Sequence, residues 1–79
     1  IVIRVEKRVG PYLNEQKYYN GFVSEREMDG MIEMTFLTEF IEGFVRWLMM
    51  YGDTAEIVRP HNLKEKVREL SLIIMTRNS

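Results

Sequence analysis

The chain has 79 residues, of which 46% are hydrophobic and 29% are charged, a composition typical of one small globular domain and not of a disordered segment. Eleven basic and twelve acidic residues give a formal charge of −1, which excludes a global positive field that would attract nucleic acid or an anionic membrane. The absence of cysteine excludes disulfides, thiolate zinc sites and a cysteine nucleophile, and the single histidine, His61, disfavours an all-protein zinc site.

Targeting signals are also missing. No apolar run reaches the ~18 residues of a membrane span, and no secretory signal precedes a hydrophobic segment. We therefore expect a cytoplasmic protein with no membrane partner and no cofactor. The chain opens at Ile1 inside an apolar alternation, so we expect residues 1–79 to be a single domain cut from a longer protein.

The beginning of the chain predicts a strand, a short helix and a turn. Residues 1–6, IVIRVE, alternate with period two, which predicts a strand with one buried face. Residues 8–17 predict a helix with Gly10-Pro11 in its first turn, where a missing N–H costs little. One face of this helix gathers Val9, Tyr12, Leu13 and Gln16. Residues 18–21, YYNG, predict the turn.

The dipeptide Asp29-Gly30, between predicted strands at residues 22–27 and 31–37, predicts a hairpin with a two-residue turn and positive φ at both central positions. This turn places Arg26 opposite Glu33. It also pairs Met28 with Met31, Ser24 with Thr35, and Val23 with Phe36. One face then gathers Val23, Ile32, Met34 and Phe36, and the other gathers Ser24, Arg26, Glu33 and Thr35. A slip of one residue would invert both faces.

The next segment predicts a helix with Thr38 as its N-cap and Gly52 as its left-handed stop. At 100° per residue its polar side chains form only a narrow stripe, made of Glu39, Glu42 and Arg46. A helix on a sheet needs roughly a 100° apolar face, so the surplus predicts a second covering surface from another helix, domain or subunit. The predicted partner interface consists of Phe40, Trp47, Met50 and Tyr51.

Residues 55–59 predict a fourth strand, and residues 63–75 predict a last helix with a capping-box-like start at Asn62. The apolar seam of this helix is Leu63, Val67, Leu70 and Ile74. The order β-α-β-β-α-β, with right-handed crossovers, predicts an α+β ferredoxin-like sandwich. In it, a four-stranded antiparallel sheet carries both helices on one face and is followed by the additional C-terminal helix.

Because this fold hosts many functions, the residues must indicate which one applies. The predicted outer sheet face carries no aromatic side chain on which a base could stack, which disfavours RNA recognition. An acylphosphatase-like enzyme would need a glycine-rich anion loop after the first strand. Arg8 and Gly10 match such a loop only weakly. His61 has no patterned partner, so we expect no enzymatic activity and no catalytic residue.

The one basic cluster of the chain allows two interpretations. The cluster consists of Arg4, Lys7, Arg8 and Arg26. These side chains could contact a phosphate or a nucleic-acid backbone. Alternatively, they belong to a solvated face that is neutralised by Glu6, Glu25, Glu27 and Glu33, which is the interpretation we favour.

The chain resembles the C-terminal extension of WYL-domain proteins, which are bacterial transcriptional regulators with an N-terminal DNA-binding helix-turn-helix. Three segments carry the resemblance: residues 44–53, FVRWLMMYGD; residues 55–60, AEIVRP; and residues 63–67, LKEKV. In the family, a helix ends like RWLLSFG, a strand reads like AEVLEP and a closing helix begins like LREEL. Here Met49-Met50-Tyr51 is bulkier than the small residues that the family usually has before the glycine.

The resemblance implies a non-catalytic regulatory and oligomerisation domain that contributes to dimerisation and effector sensing. Its implied partners are a second copy of the chain and the WYL domain of the same protein, with DNA bound by an upstream domain absent here. The implied effector is a nucleotide or a single-stranded nucleic acid, and no ligand residue is carried over. A free-standing ligand- or RNA-binding module and an acylphosphatase-like enzyme are the alternatives left open.

Overall fold

The computed structural model describes all residues 1–79. A 3-10 turn at Lys7–Val9 follows the first strand. The elements are β1 Val2–Glu6, α1 Gly10–Leu13, α2 Gln16–Tyr19, β2 Phe22–Met28, β3 Met31–Phe36, α3 Ile41–Met49, β4 Ala55–Arg59 and α4 His61–Arg77. None of the helices combines the length and the apolarity that a membrane crossing requires.

The four strands form one antiparallel sheet in the order β2-β3-β1-β4. A single hydrophobic cluster joins β1 and β3 to α1, α3 and the first turn of α4. Its fully buried side chains include Ile3, Val5, Leu13, Met34, Phe36, Phe44 and Val45. The expected α+β class with a four-stranded antiparallel sheet and a C-terminal helix is confirmed.

The hairpin of β2 and β3 has the predicted register near its turn. Arg26 pairs with Glu33, and the neighbouring pairs are Met28 with Met31 and Ser24 with Thr35. A bulge between Phe22 and Ser24 shifts the far end, so Phe22 and not Val23 lies opposite Phe36. The predicted place of Val23 on the apolar face is therefore wrong, and its side chain is exposed.

The turn itself also differs from the expectation. Gly30 has φ +79°, whereas Asp29 does not have a positive φ. A positive φ at the second central position alone is the pattern of a type II turn and not of a type I′ turn. Of the two central residues of the turn, only Gly30 therefore has a backbone conformation that favours glycine.

The segment between β1 and β2 is less regular than the single predicted helix. It consists of the 3-10 turn followed by two one-turn helices, α1 and α2. Val9 and Leu13 are buried as expected, but Tyr12 is exposed. The chain then turns at Gly21, which has φ +87° and lies so close to the backbone of Leu37 that no Cβ would fit. Glycine is therefore the residue that lets α2 connect to β2.

The ends of α3 do not use the predicted caps. The N-cap position is Phe40, whose N–H donates to Oγ1 of Thr38 at 3.1 Å, so Thr38 stabilises the entry to the helix from two positions before the N-cap. At the other end, the helix stops at Met49 and continues as a turn. Gly52 does not have a positive φ, so its predicted role as a left-handed stop is wrong.

Helix α4 begins earlier than predicted, directly after Pro60, and Asn62 provides no side-chain cap. His61 therefore belongs to the first helical turn, with Nε2 3.5 Å from Glu65. The predicted seam holds for the first half of the helix, where Leu63 is buried and Val67 and Leu70 pack against the core. Ile74, the fourth seam residue, is half exposed because the helix by then has passed the edge of the core.

Candidate interaction surface

The four residues of the predicted partner interface occupy one flank of α3 and its ends. Phe40 is 82% exposed and Met50 is 69% exposed. Trp47 and Tyr51 are half-buried and pack against the core cluster. The Trp47 ring meets Phe36 and Phe44 edge to face, with centroids 5.7 Å away in both cases. Trp47 and Tyr51 are thus held against the core, whereas the side chains of Phe40 and Met50 are mostly exposed to solvent.

Gln16 of α2 covers part of this flank. Its Oε1 accepts hydrogen bonds from Nε1 of Trp47 at 2.8 Å and from the hydroxyl of Tyr51 at 3.1 Å. The two aromatic rings themselves meet edge to face at 6.3 Å. Gln16 was predicted only as a member of a helix face. Its role as a shared acceptor was missed because the sequence does not reveal which residues of α3 lie beside it.

The opposite flank of α3 is covered by α4. Glu42 binds Lys66 at 3.0 Å and Arg46 at 3.2 Å. The hydrogen bond from Lys66 is the main reason why the pKa of Glu42 lies below its usual value, and the bond from Arg46 adds to it. The apolar surplus of α3 is therefore partly covered inside the chain by α2 and α4.

A strip of α3 between the flanks covered by α2 and α4 remains exposed. Gly43 lies on this strip, and a Cβ added there would meet nothing within 4 Å. A glycine on an exposed helix face lets another backbone approach closely, and the exposed Phe40 and Met50 lie towards the two ends of the helix. We call Phe40, Gly43, Trp47, Met50 and Tyr51 the α3 surface.

The predicted anion-contact residues lie on and beside the outer sheet face, each paired with a glutamate. Arg4 and Arg26 both bind Glu33, at 3.2 and 3.1 Å. The pKa of Glu33 lies below its usual value chiefly because Arg26 donates a hydrogen bond to it; partial burial opposes the effect and Arg4 adds to it. The other pairs are Lys7 with Glu27 at 3.1 Å and Arg8 with Glu6 at 2.7 Å.

Lys17 is a buried charge that the sequence reasoning did not single out. It is 6% exposed and forms an ion pair with Glu25. Its ammonium lies over the ring of Phe22, 4.4 Å from the centroid, and 5.5 Å from that of Tyr18. A paired ammonium over an aromatic face is a stable arrangement for a buried lysine, so Lys17 fastens α2 to β2.

A shallow groove of about 300 Å³ separates the end of α3 from β4 and α4. Its apolar floor includes Leu48, Ile57 and Val67, and Lys64 and Arg68 lie at its rim. The structure contains no cluster of three His, Cys, Asp or Glu side chains that could hold a metal ion. Apart from the exposed apolar end of α4, the exposed features are thus a helix surface, a small groove and a charge-balanced sheet.

These features define a small α+β domain whose exposed apolar surface lies on its helices. The sequence model of the WCX domain matches residues 1–71. The chain therefore belongs to the WCX domain family, the C-terminal extension of WYL-domain regulators. This confirms the resemblance inferred from the sequence. No curated protein and no solved structure matches the chain.

Proposed function

We propose that this domain is the non-catalytic regulatory and oligomerisation part of a bacterial WYL-type transcriptional regulator, contributing to dimerisation and effector sensing. The observation that carries the proposal is the α3 surface, in which Trp47 and Tyr51 are held by Gln16 while Phe40 and Met50 remain exposed. Anchored aromatic residues beside free apolar ones are typical of the centre of a protein interface. Membership of the WCX family, the C-terminal extension of WYL-domain regulators, supports a regulatory role.

A ferredoxin-like arrangement of the sheet and helices is part of this proposal. The strand order β2-β3-β1-β4 places β1 and β3 in the centre, and the two connections β1-α-β2 and β3-α3-β4 contribute to one core. A sheet with helices on one face leaves the outer face for other contacts. Here that face is occupied by the Arg4–Glu33–Arg26 network, which leaves the helices as the docking side.

In this proposal the α3 surface docks against the WYL domain of the same protein or against a second subunit. The groove beside α4 is the place where a nucleotide or a single-stranded nucleic-acid effector would add to contacts made by the WYL domain. Lys64 and Arg68 line this groove together with Glu56, and Arg68 also pairs with Glu65. DNA binding belongs to the upstream helix-turn-helix, and the regulator works in the cytoplasm. No specific observation favours an RNA-binding module or an acylphosphatase-like enzyme.

The test uses the full regulator that carries this domain. Phe40→Ala combined with Met50→Ala removes two exposed side chains without opening the core. We expect a lower dimer fraction in sedimentation equilibrium and a weaker response of a reporter gene whose promoter the regulator controls. Val23→Ala, at an exposed position of β2, is the matched control. Wild-type association and reporter response in the double variant would contradict the proposal.

A further inference from the structure

The last two turns of α4 extend beyond the part of the helix that packs on the core. Every residue after Leu70 is exposed. Four consecutive large apolar side chains in this segment, Leu72, Ile73, Ile74 and Met75, are 59, 56, 50 and 62% exposed. Four successive residues surround most of a helix, so this end is apolar on nearly all sides. The run also lies outside residues 1–71, the range that the WCX model matches.

Two oppositely charged residues bracket this apolar run. Glu69 and Arg77 are exposed and belong to none of the ion pairs of α4. Each lies four residues from Ile73, which is about 6 Å along the axis and about 40° around it. The three residues therefore share one face of the helix. A shallow concavity of about 320 Å³, lined by Leu72, Ile73, Thr76 and Arg77, opens on the same side.

We propose that residues 69–77, here called the terminal arm, pair in antiparallel orientation with the terminal arm of a second copy of this chain. The two-fold axis passes at Ile73, so that this residue meets its own counterpart. Glu69 then lies at the height of the partner subunit's Arg77, and by symmetry the same pair forms at the other end. A parallel pair would instead place each charge beside the same charge, which is unfavourable.

A second copy fits the terminal arm better than another class of partner does. The two charges of the arm cancel, and it contains only one basic residue. Nucleic acid and anionic membranes are bound through clusters of basic residues, which the arm lacks. Its charge pattern is complementary to itself when reversed. With Ile73 at the axis, Leu72 and Ile74 lie about 100° to either side and Met75 points away from the partner, so the interface is small and the association is weak and depends on protein concentration.

This inference goes beyond the proposed function, because it assigns self-association to the end of α4. In the full regulator the α3 surface adds a second contact, so changes at either surface lower the dimer fraction. The two surfaces lie on different helices and can be changed separately.

Disulfide trapping tests the position of the two-fold axis directly, since the chain has no cysteine of its own. Ile73→Cys places the new thiol at the axis, where helices in contact bring two Cα atoms within disulfide range. Ser71→Cys is the matched control, because residue 71 is exposed but lies about 200° away around the helix. We expect rapid dimer formation under mild oxidation for Ile73→Cys and slow formation for Ser71→Cys. Equal rates for both variants would overturn the antiparallel pairing at Ile73.

Charge exchange tests the orientation without any covalent bond. Glu69→Lys and Arg77→Glu, each alone, place like charges at the same height and should weaken association by roughly tenfold in sedimentation velocity. The two substitutions together restore opposite charges and should recover most of the loss. Circular dichroism of each variant verifies that α4 remains helical. A double variant no tighter than the singles, or a wild-type chain that stays monomeric at the highest attainable concentration, would overturn the proposal.

The same measurements separate the two surfaces. If the isolated chain dimerises and Met50→Ala abolishes dimerisation while Ile73→Glu does not, the terminal-arm proposal is wrong and the α3 proposal stands. If Ile73→Glu abolishes dimerisation and Met50→Ala does not, the terminal arm is the self-association site. Failure of the reporter test on the full regulator would then concern the α3 surface alone.

Discussion

The side chain of Gln16 shows how one amide oxygen can connect two helices that the sequence does not relate. It accepts from both Trp47 and Tyr51, 31 and 35 residues further along the chain. Because α2 has only one turn, a few contacts hold it against the rest of the domain: this one, the Lys17–Glu25 ion pair, and the packing of Lys17 and Tyr18 on Phe22. Single polar residues therefore determine how the flank of α3 is presented.

Replacing Gln16 with leucine should lower the free energy of unfolding by about 1 kcal/mol, since two hydrogen bonds lose their acceptor while solvent replaces part of them. Gln16→Glu keeps an oxygen acceptor at the same place and should stay near wild type. Urea unfolding followed by the fluorescence of Trp47, the only tryptophan, measures both. A leucine variant as stable as the glutamate variant would show that the amide is not structural.

Glu33 should make the stability of the sheet depend on pH. Hydrogen bonds from Arg26 and Arg4 lower its pKa in the folded state, so this stabilisation is present above the unfolded pKa of a glutamate. It is lost as the pH falls through the lower folded pKa. Glu33→Gln should flatten the acidic side of a plot of urea midpoint against pH, whereas Glu39→Gln should not. An unchanged acidic slope in the Glu33 variant would contradict this assignment.

At the scale of helices and strands, features set by the local sequence, such as tight turns, were the most predictable. Asp29-Gly30 located the hairpin, and the Arg26–Glu33 pair follows from counting outward from it. The bulge near Phe22 could not be predicted, because it depends on how the strand end meets Gly21 and Leu37. The predicted left-handed stop at Gly52 was wrong, since the chain leaves α3 through a turn without a left-handed residue.

The candidate surface was predictable only in part. The excess apolar residues of α3 identified the right helix, yet their number could not tell which of them α2 and α4 would cover. Short helices such as α1 and α2 carry too few residues for periodicity to locate their neighbours. The exposure of Phe40 and Met50 therefore had to come from the structure.

Two glycines should respond in opposite directions to the same substitution. Gly30→Ala forces a side chain into a positive φ and should cost about 1–2 kcal/mol of folding stability. Gly43→Ala, in the first turn of α3 with open space around it, should stabilise the domain by about 0.5–1 kcal/mol. Thermal unfolding at low protein concentration compares the two without interference from association. A destabilising Gly43→Ala would indicate that the strip on α3 is not open in solution.

The whole domain has almost balanced charge and pairs most of its basic residues internally. Arg4, Lys7, Arg8 and Arg26 each have a glutamate partner. Few counterions would therefore be released if phosphates bound there, and counterion release supplies most of the affinity for duplex DNA.

We expect the isolated domain to bind labelled duplex DNA only weakly at low salt and to lose this binding at physiological salt. Substituting Arg4 and Arg26 by glutamine should abolish the residual binding, whereas substituting the exposed Arg77 should have little effect. Titrations with single- and double-stranded oligonucleotides at low and physiological salt measure this. Sub-micromolar duplex affinity at physiological salt would contradict the regulatory role proposed for the domain.

The position of β2 at the edge of the sheet bears on aggregation. An unpaired edge can recruit strands from other molecules, and proteins guard such edges with charged side chains and bulges. Here the edge strand exposes Glu25, Arg26 and Glu27, and its far end is interrupted by the bulge. Sheet extension from chain to chain through this edge is thereby discouraged. Where many copies crowd together, assembly is directed to contacts between helices, which are reversible, and away from fibrous stacking of strands.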